Sequence, residues 1–166
     1  MAKLKKQYSV MEVKKLLDES EGKGPGQDGG HAIRQHGHLR ADPTSRNKPH
    51  DSAFAHEIRI FGKRLVRPGE LGKPAIKVPP MDQAMVVAFA LNSVKGQEKL
   101  GVLDGKPDKG SHGTAFTTQM DAIAHKLPQL RIGQGKVAST GTRPRVHVAL
   151  YKIDGRLHIH TAYAVA

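Results

Sequence analysis

The alternation of apolar and polar positions is sharpest at the end of the chain. There "RVHVALYKIDGRLHIHTAYAV", residues 145 to 165, sets two period-two runs on either side of Asp154-Gly155. Such alternation is what a strand with one buried face requires, and an Asp-Gly pair suits the two positive φ angles of a type I′ turn, so the stretch predicts a β-hairpin. A two-residue turn sets Leu150 opposite Ile159, Val148 opposite Thr161 and Val146 opposite Tyr163. In that register the face that begins as Leu157 and Ile159 continues as Thr161 and Tyr163. It is core at its inner end and polar at its outer end, while His158 and His160 point to the other face.

Helical spacing governs the opposite end. "YSVMEVKKLLDES" puts Val10, Val13, Leu16 and Leu17 on one face behind Ser9 and Glu12, which have the spacing of a capping box. "MDQAMVVAFALNSV" is apolar over too long a run for a typical strand and predicts a buried helix. "DSAFAHEIRIF" predicts a helix capped by Asp51 or Ser52, and "GTAFTTQMDAIAHKL" a short strand leading into a helix capped near Thr117 or Thr118. Between these lie the flexible "EGKGPGQDGG", the extended, proline-punctuated "RPGELGKPAIKVPP" and the glycine-rich connection "RIGQGKVASTGTRP". In "HAIRQHGHLR" the histidines His31 and His36 stand slightly more than one helical turn apart, so a short helix would bring them near each other. The pattern as a whole predicts an α+β fold, with N-terminal helices packed on a small antiparallel sheet that ends in the C-terminal hairpin.

Composition narrows the function. At 166 residues and 37% hydrophobic content the chain has material for one compact domain. Lys and Arg number 27 against 15 Asp and Glu, a net charge of +12, which favours a polyanionic partner and nucleic acid first. There is no cysteine, so neither a disulfide framework nor a thiolate zinc site is available. No run approaches the ~18 apolar residues of a membrane span, and no membrane anchor is expected. "MAKLKKQYSV" has a basic start without the apolar stretch of a signal peptide, so export would depend on another part of a system.

Three polar sets carry candidate chemistry: "GGHAIRQH", "SHGTAFTT" and "HTAY". Imidazole serves as a general base near neutral pH, and hydroxyls two residues apart on a strand, roughly 7 Å along it, can bond a phosphate or orient a histidine. Taken in order, "GGHAIRQHG", "GTAFTTQMDAIAHKL" and the closing hairpin resemble the bacterial ribonuclease A-like toxin domains found at the C-termini of contact-dependent growth inhibition and related polymorphic toxins. The resemblance covers about half the chain in three blocks. It implies a ribonuclease A-like fold whose site combines His36 or His31, then Arg40 or Arg46, then Thr161 and Tyr163. Thr114, Thr117, His160 and Lys152 are the further candidates for substrate contact. The resemblance implies an N-terminal helix and connector over residues 1 to 30 and the toxin domain over residues 31 to 166, with an insertion around 41 to 110 where proline-rich sequence replaces the family's helix. The chain also has "HGH" at 36 to 38 in place of the family's valine after the second histidine.

The chemistry implied is endonucleolytic transphosphorylation of RNA, tRNA among the candidates, to a 2′,3′-cyclic phosphate, with no metal or other cofactor. The resemblance further implies a monomer delivered into a target-cell cytoplasm and paired with a small acidic immunity protein. Two rivals remain at this level. Ten histidines and "HGH" allow a histidine-metal nuclease, though there is no HExxH and few acids lie near the histidines. The basic charge alone allows a non-catalytic RNA- or ribosome-binding protein, although 4% aromatic content disfavours a base-stacking platform.

Overall fold

The structure is a computed structural model that describes residues 4, 7–26, 29–33, 57–61, 80–128, 130–134, 137–141, 143 and 145–165. Helix α1, Val10–Ser20, starts as its sequence requires. The Ser9 hydroxyl accepts from the Glu12 N–H (3.1 Å) while the Glu12 carboxylate accepts from the Ser9 N–H (3.2 Å). Its face of Val13 and Leu17 is buried, so α1 shares the core of the rest of the domain. Helix α2, Pro80–Asn92, buries Ala84, Val86, Val87, Ala90 and Leu91 almost completely; this is the all-round apolar helix of a domain interior. Helix α3, Val94–Asp104, follows after Ser93, whose hydroxyl caps it by accepting from Gly96 N–H. These two helices belong to the stretch assigned from sequence to an insertion, and they supply Leu91, Leu100 and Leu103 to the same core.

The main sheet is antiparallel in the order β2-β5-β6, with β2 at Ser111–Gln119, β5 at Arg145–Ile153 and β6 at Arg156–Val165. Val146, Val148, Leu150, Phe116, Leu157 and Ile159 are buried in the core with the three helices. A second antiparallel sheet, in the order β1-β3-β4, is formed by β1 (Glu57–Phe61), β3 (Leu130–Gln134) and β4 (Val137–Gly141). The fold is therefore α+β, with one more sheet than the sequence pattern announces.

Three sequence expectations are overturned. "EIRIF" is strand β1 and not the end of a helix: its Ile-Arg-Ile alternation has period two, and β3 offers it a partner through all five residues. The glycine-rich "RIGQGKVASTG" is a β3–β4 hairpin and not a bare connection, its Ile132, Val137 and Thr140 being branched residues that suit strands. After β2 the chain makes a single turn instead of a helix. Asp121 accepts from the N–H groups of Ile123 (3.1 Å) and Ala124 (3.0 Å), and the turn stops where Lys126 takes φ 53° and Pro128 follows. Strand β2 itself continues through Thr117 and Thr118 to Gln119, past the point where the sequence pattern put a helix cap. Residues 51–56, and 34–40 of the short helix expected around His36, lie outside the described residues.

The closing hairpin forms where expected, with Asp154 and Gly155 at φ 48° and 83°. Leu150 does face Ile159, but one step further the pairing shifts, so that Ala149 meets Thr161, Val148 meets Ala162 and His147 meets Tyr163. His160 is the extra residue of a β-bulge. The shift by one reverses the later half of β6: Ala162 goes to the core and Thr161 and Tyr163 move to the outer face, opposite to the side carrying Leu157 and Ile159.

Candidate active site

Alternation along β5 places Val146, Val148, Leu150 and Lys152 inside and His147, Ala149 and Tyr151 on the outer face. Register then fixes three rows across the outer face of the sheet. Thr117, His147 and Tyr163 form the first, Ala115, Ala149 and Thr161 the second, and Gly113, Tyr151 and His158 the third. In the first row the Thr117 hydroxyl lies 3.2 Å from His147 Nδ1, and the rings of His147 and Tyr163 are 5.1 Å apart at 34°. In the third row the Tyr151 ring lies against Gly113, where a Cβ would come within 2.7 Å of it. The middle row is a low floor of two alanines between these side chains, closed at its β6 end by Thr161.

The first sequence block joins this face through its backbone. Gly30 N–H donates to Lys23 O (2.9 Å), Gly22 N–H to Gly30 O (2.8 Å) and His31 N–H to His160 O (2.8 Å), so residues 30 and 31 run against the bulge. A Cβ at Gly30 would collide with the Ser20 carbonyl oxygen, which explains why glycine precedes the histidine. Gln83, buried on α2, donates from Nε2 to Ala32 O (2.9 Å) and Ala162 O (3.3 Å), tying the block to the last strand. The His31 ring meets His160 edge-on at 4.8 Å, and His160 in turn meets Tyr151 edge-on at 5.1 Å. His31 Nδ1 lies 3.1 Å from Gly29 O. A carbonyl can only accept, so the proton sits on Nδ1 and the basic lone pair on Nε2, the tautomer a general base needs.

Electrostatics follow from burial. His160 titrates below the ordinary histidine range, because burial disfavours its charged form and His31 lies beside it. His158 is lowered by burial too, then by the cations of Lys23 and Arg156, with Glu19 opposing. Thr161 is 7% exposed and its hydroxyl finds no hydrogen-bond partner among the described residues, an arrangement that costs about 1–3 kcal/mol.

The sequence candidates thus divide. Among them His31, Thr117, His160, Thr161 and Tyr163 share the outer face or touch it. Thr114 pairs with Leu150 and lies on the helix-packed face, away from Thr117. Lys152 is wholly buried, its ammonium 3.0 Å from the Asp108 carboxylate and bonded to the carbonyls of Lys106 (2.8 Å) and Asp104 (3.3 Å). It staples the turn after α3 and is not presented to a substrate, which corrects the role expected of it. His36, Arg40 and Arg46 lie outside the described residues. Sequence reading passed over His147 and Tyr151, although the alternation in "RVHVALY" already sets both opposite the valines. Among the described residues no three His, Asp or Glu side chains gather as metal ligands would, and no helix is long and apolar enough to cross a membrane. A groove of about 530 Å³ between α1 and the hairpin, lined in part by Tyr8, Lys23, Arg156 and His158, lies apart from the His147 row. Compared with family models, with curated proteins and with solved structures, the chain finds no match in any of the three.

Proposed function

We propose that this protein is a ribonuclease A-like endoribonuclease toxin of interbacterial competition, cleaving RNA to a 2′,3′-cyclic phosphate without a metal. The observation that carries the reading is the convergence of the three polar sequence blocks on one sheet face: His31 from the first, Thr117 from the second, and Thr161 and Tyr163 from the third. Such a face supplies what the reaction asks for. An imidazole from the first block, His31 or His36, takes the proton of the 2′-hydroxyl, whose oxygen attacks the adjacent phosphorus as the 5′-oxygen leaves. Hydroxyls and a cationic side chain, Arg40 or Arg46, oppose the charge that develops on the phosphorane. Thr161 keeps its hydroxyl at a cost in the free protein, and the reading gives that hydroxyl a partner in the bound state, either the phosphate or the imidazole it orients. A net charge of +12 suits both RNA and a small acidic immunity protein, whose association would be fast and salt-sensitive. In this reading the chain acts in the cytoplasm of the cell that receives it.

The test is a digest of total RNA in the presence of a chelator, with the ends mapped. Cleavage to cyclic phosphate ends is expected, and DNA is spared because it has no 2′-hydroxyl. Equal cleavage of DNA, activity restored only by a metal, or RNA left intact by an active, folded preparation would sink the reading. Variants sharpen it. His31→Ala or His36→Ala should lower the rate by about two to four powers of ten. Thr161→Val should lower the rate less while raising thermal stability, since it removes the unpaired hydroxyl without changing shape. A Thr161→Val protein that is less stable and fully active would take Thr161 out of the site.

A further inference from the structure

Resting on the ribonuclease reading, we propose that His147 is the general acid that protonates the departing 5′-oxygen, positioned for that step by Thr117. Transphosphorylation runs in line, so the group that takes the 2′-proton and the group that supplies the leaving-group proton must stand on opposite sides of the phosphorus. The outer face has that layout. His31 and His160 lie at one flank, over the Tyr151 row, and His147 at the other, with Ala115, Ala149 and Thr161 between them. Tyr151 and His147 are four residues apart on β5, roughly 13 Å along the strand at ~3.3 Å per residue, which leaves room for a nucleotide phosphate over the alanines.

The chemistry favours the imidazole over the neighbouring phenol. Imidazoles titrate near neutral pH and phenols near 10, so at neutral pH an imidazolium in general gives up its proton to a developing alkoxide more readily than a phenol does. In the charged ring both nitrogens carry protons, so the Thr117 hydroxyl beside Nδ1 accepts there. With the Thr117 hydroxyl accepting from Nδ1–H, that proton stays in place whether the ring is charged or neutral, and the mobile proton is the one on Nε2. In the step, the 2′-oxygen–phosphorus bond forms as its proton passes to the first-block histidine. The phosphorus–5′-oxygen bond breaks, and the 5′-oxygen keeps the electron pair and takes the Nε2 proton of His147. The products are a 2′,3′-cyclic phosphate and a 5′-hydroxyl, and neutral His147 is then the base that can activate water against the cyclic ester. Tyr163, ring against ring with His147, limits the imidazole's swing.

Leaving-group dependence tests the assignment, because a good leaving group needs no proton. The substrates are a dinucleoside monophosphate and a nucleoside 3′-(4-nitrophenyl phosphate). His147→Gln should lower cleavage of the first by about two to four powers of ten and of the second by less than about tenfold. Thr117→Val should show the same selective loss to a smaller degree, and Thr117→Ser should restore the wild-type rates. Circular dichroism and melting of each variant separate a lost fold from a lost proton donor. Wild-type rates on both substrates in His147→Gln, or equal losses on both, would overturn the role of His147 while the ribonuclease reading stands. A wild-type protein that cleaves neither substrate overturns both.

Discussion

At the residue scale, two histidines of β6, His160 at the bulge and His158 two residues before it, couple the fold to pH. Burial pushes His160 and His158 below the histidine range, with His31 adding to the first and Lys23 and Arg156 to the second. A depressed histidine stays neutral in the fold while the unfolded chain still titrates near 6.5. Above that pH neither state binds the proton and stability is at its full value. Below it the unfolded state binds protons the native state refuses, and stability falls until the lower native pKa is reached. The melting temperature should therefore hold between about pH 7 and 8 and decline below about 6.5. A His158→Gln variant, which keeps a polar side chain but cannot titrate, should show a shallower decline. An identical acid limb in that variant would remove His158 from the account. Lys152 makes the complementary point, for a cation that composition counts toward RNA binding is spent inside the protein on Asp108 and two carbonyls.

At the scale of elements, the segment from Ser20 to His31 is built around one close approach. Replacing Gly30 by alanine forces a Cβ against the Ser20 carbonyl, in a place where Ser20 also accepts from Ile159 N–H (3.0 Å) beside the bulge. Backbone on both sides has nowhere to go, so the change should cost about 1–3 kcal/mol and displace His31 from His160. Thermal melting reads the first effect, and loss of RNA cleavage beyond what the destabilisation explains reads the second. An alanine variant with unchanged melting and rate would show that the approach can relax. Legibility from sequence follows from how local each signal is. The capping box, the buried α2 and the Asp-Gly hairpin rest on residues within a few positions of one another, and each was readable. The bulge was not, because the backbone partner of His160 within the described residues is His31, more than a hundred positions away. The one extra residue at the bulge moves Thr161 and Tyr163 from the core side to the side of His147, so the residues of the last strand were legible as candidates while the face they share with His147 was not. The β1-β3-β4 sheet was missed for the same reason, since β1 finds its partner only after some seventy intervening residues.

For the whole molecule the deciding quantity is charge. Under the proposed function, an excess of twelve cations on an 18.0 kDa chain would hold RNA first through its phosphates, with the outer face acting on whatever that field gathers. Binding through phosphates releases counterions. For single strands the logarithm of affinity falls with the logarithm of salt by about 0.7 per phosphate engaged, so about four contacts would lose roughly fifty-fold between about 50 and 200 mM salt. A 2′-deoxy oligonucleotide is the probe, because it presents the same phosphates and has no nucleophile to react. Its dissociation constant should climb steeply over that range, and its competition against RNA cleavage should weaken in parallel. An affinity that stays flat with salt would mean that the net charge does not drive binding, and the case for RNA would then rest on the site alone. The same field bears on the acidic inhibitor proposed above. An acidic inhibitor drawn in by it should associate more slowly as salt rises, with dissociation changing far less, since steering acts on the approach while the contacts made at the face govern release.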